Sequence, residues 1–308
     1  MDVKTQARDT GVRGRYAPSP TGDLHLGNLR TALLAWLWAR RAGGRCVLRV
    51  EDLDLPRVRA GVTERMLADL RWLGLDWDEG PAEGGPYGPY RQSERAALYE
   101  HALARLRAQG MLYPCYCSRA ELARIASAPA PGEDGPRYPG TCRHLTPRER
   151  EARERAGRRP AWRFHVPPGV VTFTDALCGP QAQDVAATVG DFIVQRSDGI
   201  IAYQLAVVVD DGWMKINQVV RGADLLSSTP RQILLARALG WPIPTYAHVP
   251  LLTDATGAKL SKRDRAAGLE PLRAAGMTPE AVIGRLAAGA GLIPEPVPIS
   301  ARELVAMR

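Results

Sequence analysis

The sequence has no apolar run that approaches the roughly 18 residues a membrane-spanning helix needs. Its first 15 residues are polar and mixed in charge, and they lack the apolar centre of a secretory signal peptide. No internal repeat is visible along the chain. We therefore expect a cytoplasmic protein that makes no contact with a membrane.

Cysteine is scarce, with five residues in 308. In a cytoplasmic chain, closely spaced cysteines point to metal binding or catalysis more than to disulfides. Hydrophobic residues make up 45% and charged residues 24%, which is typical of a globular protein and not of a disordered one. The length suits one large or two modest domains with a substantial core.

Positive charge is in excess, with a formal net charge of +8. Such an excess is compatible with a nucleic-acid partner. Arginine supplies most of it, however, and alanine, glycine and proline are abundant as well, a composition typical of a GC-rich genome. The charge thus permits an RNA partner without establishing one.

The opening segment predicts a strand–loop–helix–strand unit. A strand ends near Arg15 and Tyr16, a proline- and glycine-rich loop follows at 17–27, a helix at 29–41 and a buried strand at 46–50. This is the half-module of a doubly wound sheet. We therefore predict an α/β fold with a Rossmann-type doubly wound parallel sheet.

Later segments predict how this sheet continues. Residues 191–195 and 200–209 are expected to resume it as strands, a helix follows at 229–239, and a last strand covers 246–252. We predict that the chain is divided into four segments. They are the first half of the Rossmann-type domain (1–112), a cysteine-containing insertion (113–188), the second half of the Rossmann-type domain (189–265) and a short helical segment (266–308).

Two loops have the composition of phosphate-binding segments. Residues 18–28 lie between strand and helix, where free N–H groups attract phosphate, and His25 can donate to an oxygen. Residues 257–263 place Lys259 and Lys262 around a serine, as a cationic clamp would. Each loop alone has an ordinary interpretation, the first as a turn with a packed histidine and the second as a solvated basic run.

Together, HLGN at 25–28 and KLSKR at 259–263 resemble the HIGH and KMSKS signatures of class I aminoacyl-tRNA synthetases. Asn28 replaces the last histidine of HIGH, so it cannot carry that positive charge. The resemblance implies ATP binding by His25, Gly27, Asn28 and Lys262. It also implies that His25, Lys259 and Lys262 are catalytic, stabilising the charge that develops on phosphates bridged by Mg²⁺.

Further motifs resemble the glutamyl/glutaminyl branch of that class: GRYAPSPTG at 14–22, RVEDLD at 49–54, and the segments 203–211 and 220–224. The resemblance implies a glutamate site. Its residues would be Arg15, Tyr203 and Arg221 for the side-chain carboxylate, Glu51 for the α-ammonium group, and Ser19 for a polar contact.

An arginine fork binds a carboxylate bidentately and offers a neutral amide no acceptor, so this site should reject glutamine. Simpler interpretations remain open. Arg15 or Arg221 could form a surface salt bridge. The acidic residues of the second motif, Glu51, Asp52 and Asp54, could bind magnesium or cap a helix.

The cysteines of the predicted insertion suggest a structural zinc site. Cys115, Cys117 and Cys142 supply three thiolates, and zinc requires a fourth ligand. Chemistry alone favours His144, whereas the synthetase resemblance implies Tyr138 in the pattern YPGTC. Three unliganded cysteines are the remaining alternative. Cys46 and Cys178 are expected to be simple buried thiols.

Residues 266–308 are too few to build the large anticodon-binding region of a full glutamyl-tRNA synthetase. In this the chain resembles the shortened glutamyl-queuosine tRNA(Asp) synthetase family. The resemblance implies a monomeric enzyme that activates L-glutamate with ATP and transfers it to queuosine in the anticodon of tRNA(Asp). The alternatives are a minimal enzyme that charges tRNA(Glu), another nucleotidyltransferase, and a non-catalytic RNA-binding module.

Overall fold

A computed structural model of the chain describes residues 11–118, 120–122, 137–251 and 268–307. The strands are β1 (Arg13–Tyr16), β2 (Arg45–Leu48), β3 (Leu112–Cys115), β4 (Ala161–Phe164), β5 (Val170–Asp175), β6 (Gly179–Asp184), β7 (Phe192–Gln195), β8 (Gln218–Gly222) and β9 (Thr245–Val249). The helices are α1 (Leu26–Arg41), α2 (Val62–Trp72), α3 (Ala96–Ala108), α4 (Pro147–Arg155), α5 (Val185–Thr188), α6 (Tyr203–Trp213), α7 (Thr229–Ala238), α8 (Leu269–Ala274), α9 (Pro279–Gly289) and α10 (Ala301–Ala306).

The chain forms two compact units. The first comprises Met1–Glu94, Lys215–Leu226 and Pro244–Arg308, and the second comprises Arg95–Met214 and Ser227–Ile243. Both units are therefore assembled from segments that are distant in sequence. The four-part division expected from the sequence stays a prediction.

The first unit contains a parallel sheet with the strand order β2-β1-β8-β9. From β1 the chain passes through α1 to β2 on one side, while β8 pairs with β1 on the other side. In open α/β sheets, ligands bind beyond the carboxyl ends of the strands at such a reversal of strand order. The predicted α/β class with parallel strands is confirmed, and the reversal at β1 and β8 indicates where a ligand would bind.

Helix α1 covers one face of this sheet because nearly its whole length is apolar. Leu29, Leu33 and Leu37 are fully buried, and they join a core with residues of α2, α9 and α10. Gly14 of β1 permits the close approach, since a Cβ atom there would lie 3.0 Å from the Cβ of Ala39. The helix thereby places its N-terminus at the carboxyl end of β1.

The second unit has a different sheet and a helical core. Strands β3, β4 and β7 form an antiparallel sheet in the order β3-β4-β7, and β5 pairs with β6 as a hairpin. Helix α6 packs against α3 and α7. Arg95 and Asp210 form an ion pair of 2.6 Å there, with both side chains fully buried, and the Tyr99 hydroxyl donates to the same carboxylate.

The prediction of a strand at 200–209 is wrong. Helix α6 begins at Tyr203, and its residues Leu205–Asp211 are buried. The valines in this run favour strands through their β-branched side chains, but a short apolar run gives no period that separates a strand from a buried helix. The strand predicted at 191–195 does exist as β7, but it lies in the antiparallel sheet. The strand that rejoins the parallel sheet is β8.

Within the ranges that the structure describes, no helix combines the length and the apolar character needed to cross a membrane.

Candidate functional site

The loop between β1 and α1 ends in a well-defined helix cap. His25 is the N-cap residue of α1, and its Nδ1 atom accepts a hydrogen bond from the Asn28 N–H at 3.2 Å. The Asn28 side chain accepts in return from the His25 N–H at 3.3 Å. Because Nδ1 is an acceptor, the neutral imidazole carries its proton on Nε2, as donation to a phosphate oxygen requires. Gly27 lies in the same first turn.

Lys259 and Lys262 lie outside the described residues, within 252–267. The residues that flank this segment both contact the start of α1. Gly268 forms an antiparallel bridge with His25. On the other side, Arg30 of α1 donates to the carbonyl oxygen of Pro250. Described residues on both sides of the segment with the KLSKR motif, Pro250 and Gly268, therefore lie beside the HLGN turn.

Arg15 and Arg221 lie on the sheet face opposite α1. Strand register pairs Gly14 with Gln218, so the alternation of side chains puts Arg15 and Arg221 on one face and Val220 on the other. Both arginines are almost fully buried, with exposed fractions of 5% and 4%. Arg15 donates through Nη1 to the Val220 carbonyl at 3.4 Å. The structure thus brings together two of the three residues predicted to bind the side-chain carboxylate.

Arg221 has a neighbour that the sequence analysis missed. His248 of β9 lies opposite Arg221 in the strand register, is fully buried, and accepts from the Arg221 Nε–H at 3.0 Å. Tyr246 places its ring centroid 5.5 Å from the Arg221 guanidinium carbon. A histidine in an otherwise apolar strand gave no pattern that could have revealed this contact.

Glu51 follows β2 and lies against the β1–α1 loop. Its N–H donates to the Pro18 carbonyl at 2.9 Å, and its carboxylate accepts from Nη2 of the fully buried Arg49 at 3.2 Å. Ser19, next in the loop, is exposed. This arrangement places a carboxylate with a fixed orientation beside the loop that carries the predicted polar contact.

Asp52 and Asp54 differ from Glu51 in their surroundings. Asp52 accepts from the N–H and the hydroxyl of Ser93, both at 2.8 Å, which fits the alternative of a capping role. Asp54 is the N-cap residue of a short 3₁₀ helix, Leu55–Arg57, and makes no side-chain capping bond there. Tyr203, the third residue predicted to bind the carboxylate, begins α6 in the second unit and is partly buried.

The three cysteines of the predicted zinc site come together in the second unit. The sulfurs of Cys115, Cys117 and Cys142 all lie within 4.8 Å of one another, and those of Cys117 and Cys142 are 3.5 Å apart. A tetrahedral zinc ion with Zn–S bonds of about 2.3 Å separates its sulfurs by about 3.8 Å. The cluster could therefore hold a metal ion with small side-chain adjustments.

The hydroxyl oxygen of Tyr138 lies beside this cluster. It lies 3.4 Å from the Cys115 sulfur and accepts from the Cys142 N–H at 2.9 Å. His144 is exposed and is not part of the group. The geometry therefore favours Tyr138 over His144 as the fourth ligand.

Charge around the cluster suits a metal-binding thiolate. Hydrogen bonding from Cys142 lowers the pKa of Cys115, and the nearby Arg163 guanidinium lowers it further, against the opposing effect of burial. Arg163 stacks over the Tyr138 ring with 3.6 Å between guanidinium carbon and ring centroid, and donates to the Asp191 carbonyl at 2.6 Å. A buried cation thus offsets the negative charge of a Cys115 thiolate.

Comparisons with known proteins agree on one family. The model for the catalytic domain of class I tRNA synthetases (E and Q) matches residues 11–293. Glutamyl-Q tRNA(Asp) synthetase from Symbiobacterium thermophilum is 60% identical over 95% of this chain and 90% of the relative. Glutamate–tRNA ligase 2 from Alkalilimnicola ehrlichii is 49% identical over 90% of this chain, which spans only 58% of that relative.

A solved structure gives the same result. The glutamate–tRNA synthetase from Elizabethkingia anophelis superposes with a TM-score of 0.83 at 31% identity. The match covers 96% of this chain and 65% of the synthetase.

Proposed function

Since the chain belongs to the class I tRNA synthetase family with specificity for glutamate or glutamine, we propose that it activates glutamate with ATP and attaches it to queuosine in the anticodon of tRNA(Asp). The observation that carries the proposal is the pair of buried arginines, Arg15 and Arg221, at the reversal of strand order. The 60% identity with a Glutamyl-Q tRNA(Asp) synthetase supports the choice of acceptor.

Glutamate recognition follows from the charges of this site. Two guanidinium groups on one sheet face suit a side-chain carboxylate, which accepts charge-assisted hydrogen bonds from both. Tyr203 would donate a further bond, Glu51 would bind the α-ammonium group, and Ser19 would make a polar contact. A glutamine amide presents N–H groups where the arginines require acceptors, so the same site selects against glutamine.

Activation is a displacement at phosphorus. An oxygen of the glutamate α-carboxylate forms a bond to the α-phosphorus of ATP, and the bond to the bridging oxygen breaks, which releases pyrophosphate. His25 Nε2, Gly27 and Asn28 at the N-terminus of α1, with Lys259 and Lys262, would bind the phosphates and stabilise the charge that develops on them. Magnesium, when bound with ATP, would neutralise part of the phosphate charge.

Transfer completes the reaction. A hydroxyl of the queuosine ring attacks the carbonyl carbon of glutamyl-adenylate and loses its proton to solvent, and AMP leaves with the electron pair of the broken acyl–phosphate bond. We propose one structural zinc ion, held by Cys115, Cys117, Tyr138 and Cys142, that stabilises the loop segments around it. We expect a monomer that acts in the cytoplasm.

The decisive experiment offers labelled glutamate, ATP and Mg²⁺ with three acceptors, which are tRNA(Asp) with queuosine, tRNA(Asp) without it, and tRNA(Glu). Label on the queuosine-containing tRNA(Asp) alone is the expected result. Label on tRNA(Glu) instead would indicate the second candidate, a minimal charging enzyme, which the 49% identity with a glutamate–tRNA ligase favours. Absence of glutamate-dependent pyrophosphate exchange would indicate a non-catalytic module.

A further inference from the structure

His248 is a buried polar residue for which the proposed reaction has no role so far. It is the next-to-last residue of β9, has 0% exposure, and places its imidazole against the guanidinium of Arg221. The Tyr246 ring stacks beside it at 6.0 Å between ring centroids. An apolar side chain would fill this position without the cost of burying a polar ring. The imidazole beside a buried cation therefore indicates a specific interaction.

The hydrogen bond defines the relation between the two side chains. Arg221 donates through Nε to Nε2 of His248 at 3.0 Å, so this ring nitrogen is an acceptor and carries no proton. The same guanidinium donates through Nη2 to the Leu225 carbonyl at 3.5 Å. The hydrogen bond from Nε–H is the shorter of the two. Because the covalent Nε–H bond lies in the guanidinium plane, a hydrogen bond from it restricts the rotation of that plane.

We propose that His248 is a positioning residue that orients Arg221 for bidentate binding of the glutamate side-chain carboxylate. The proposal rests on the proposed glutamate site and adds a residue to it. Bidentate recognition requires a guanidinium whose plane matches the carboxylate plane. Anchoring Nε on β9 fixes the plane in which the two Nη groups lie, and these are the groups that a bidentate carboxylate contacts.

Two substitutions separate the hydrogen bond from the packing. His248→Gln can place its amide oxygen near the position of the imidazole Nε2, whereas His248→Leu fills the space without an acceptor. Val249→Ala is the matched control, because Val249 is buried at the next position of the strand but packs in the apolar cluster on the α1 side. Glutamate-dependent pyrophosphate exchange then gives KM for glutamate and for ATP separately.

We expect His248→Leu to raise KM for glutamate by about 10- to 100-fold, the range over which small misplacement of a binding group acts. KM for ATP should change little in this variant. His248→Gln should restore most of the glutamate affinity, and Val249→Ala should leave it unchanged. Equal losses in His248→Gln and His248→Leu, or no loss in His248→Leu, would overturn the proposal.

A spectroscopic measurement keeps this test independent of the proposed function. In protein with ¹⁵N-labelled arginine, the Arg221 Nε–H signal is assigned by its absence in Arg221→Lys, and it should be protected from solvent exchange. Protection should persist in His248→Gln and disappear in His248→Leu. If it persists in His248→Leu, His248 does not position Arg221, whatever reaction the protein catalyses. If the wild type lacks glutamate-dependent exchange while this pattern holds, the glutamate site fails and the positioning contact stands.

Discussion

At the scale of single residues, Asn28 shows how a departure from a signature can have a local physical reason. Its side chain and that of His25 cap each other's backbone N–H groups, which fixes the start of α1. We expect Asn28→Ala to lower the free energy of unfolding by about 1 kcal/mol, the usual contribution of one hydrogen bond, because the His25 N–H loses its acceptor in the capping box. Urea denaturation measures this, and Asn28→Asp, which keeps an acceptor, should lose less. Equal losses in both variants would argue against the capping explanation.

A second residue-scale prediction concerns the ion pair between Arg95 and Asp210. Both side chains are fully buried, and Tyr99 donates to the same carboxylate. Asp210→Asn leaves a buried guanidinium without its counter-charge, so we expect a loss of about 3–5 kcal/mol in urea denaturation. Replacing both partners by leucine should cost less than the single change, because no unpaired charge remains. A larger loss in the double variant would show that the pair is itself strongly stabilising.

The sequence revealed the site residues that belong to recognisable motifs and missed those that act through contacts across the sheet. Arg15 and Arg221 were predicted because their segments resemble a known branch. His248 and Ser93 were not, since each meets its partner only after distant segments pair, and neither lies in a local pattern. Arg163 was missed for the same reason, because its contact with the Tyr138 ring depends on the fold of the second unit.

At the scale of secondary-structure elements, the sequence predicted where elements occur better than it predicted which sheet they join. Helix α1 was predicted nearly at its observed bounds, because a clear apolar pattern and the glycines that follow it define the helix. Strand β9 begins within one residue of the prediction but ends at Val249, three residues before the predicted end. The run at 200–209 was assigned to the wrong type. Strand β7 was assigned to the wrong sheet, because strand pairing is set by tertiary contacts that a local window does not contain.

The cysteine cluster gives an element-scale prediction, since it ties the end of β3 to the turn that contains Cys142. Cys142→Ser should abolish stoichiometric zinc binding and lower the melting temperature. Cys178→Ser is the matched control, because Cys178 lies in the β5–β6 turn and is not part of the cluster. Metal analysis and thermal denaturation measure both effects. Full zinc content in Cys142→Ser would exclude the proposed ligand set.

Arg163 tests whether charge beside the cluster matters. Its guanidinium stacks on the Tyr138 ring and lowers the pKa of Cys115. We expect Arg163→Met to weaken zinc binding by about 10- to 100-fold, as is typical for residues that support metal ligands. Competition with a chromophoric chelator measures this. Arg107→Met is the control, because Arg107 stacks in the same way on Trp162, 4.2 Å from its ring centroid. Similar zinc affinity in both variants would count against a role for Arg163.

At the scale of the whole molecule, the residues of the candidate sites are divided between the two units. The first unit contains the HLGN turn, the two buried arginines and Glu51, and the second contains the cysteine cluster and Tyr203. Each unit is completed by a segment that returns late in the sequence. Because distant segments complete each unit, the stability of a unit and the formation of the site within it should be lost together when the core of that unit is disrupted.

The response of the molecule to acid follows from carboxylates paired in the first unit. Glu79 accepts from Arg13 at 2.8 Å and from Tyr90 at 2.7 Å. Burial alone would raise the pKa of Glu79, but these hydrogen bonds and the charge of Arg13 outweigh it and lower the pKa. Hydrogen bonds and charge lower the pKa of Asp76 and Glu83 in the same way, again against burial.

A carboxylate whose pKa is lower in the folded state stabilises the protein at every pH above its unfolded-state pKa, which is about 4.3 for glutamate. This contribution is lost as the pH falls through the folded-state pKa. We therefore expect the urea midpoint to fall as pH drops below about 4. Glu79→Gln should lower the free energy of unfolding by about 3 kcal/mol at pH 7. On acidification this variant should lose less stability than the wild type, because the carboxylate that titrates has been removed. Glu64→Gln, changed at an exposed side chain, should follow the wild type. If Glu79→Gln and the wild type lose stability in parallel between pH 7 and pH 3, the acid response originates elsewhere in the molecule.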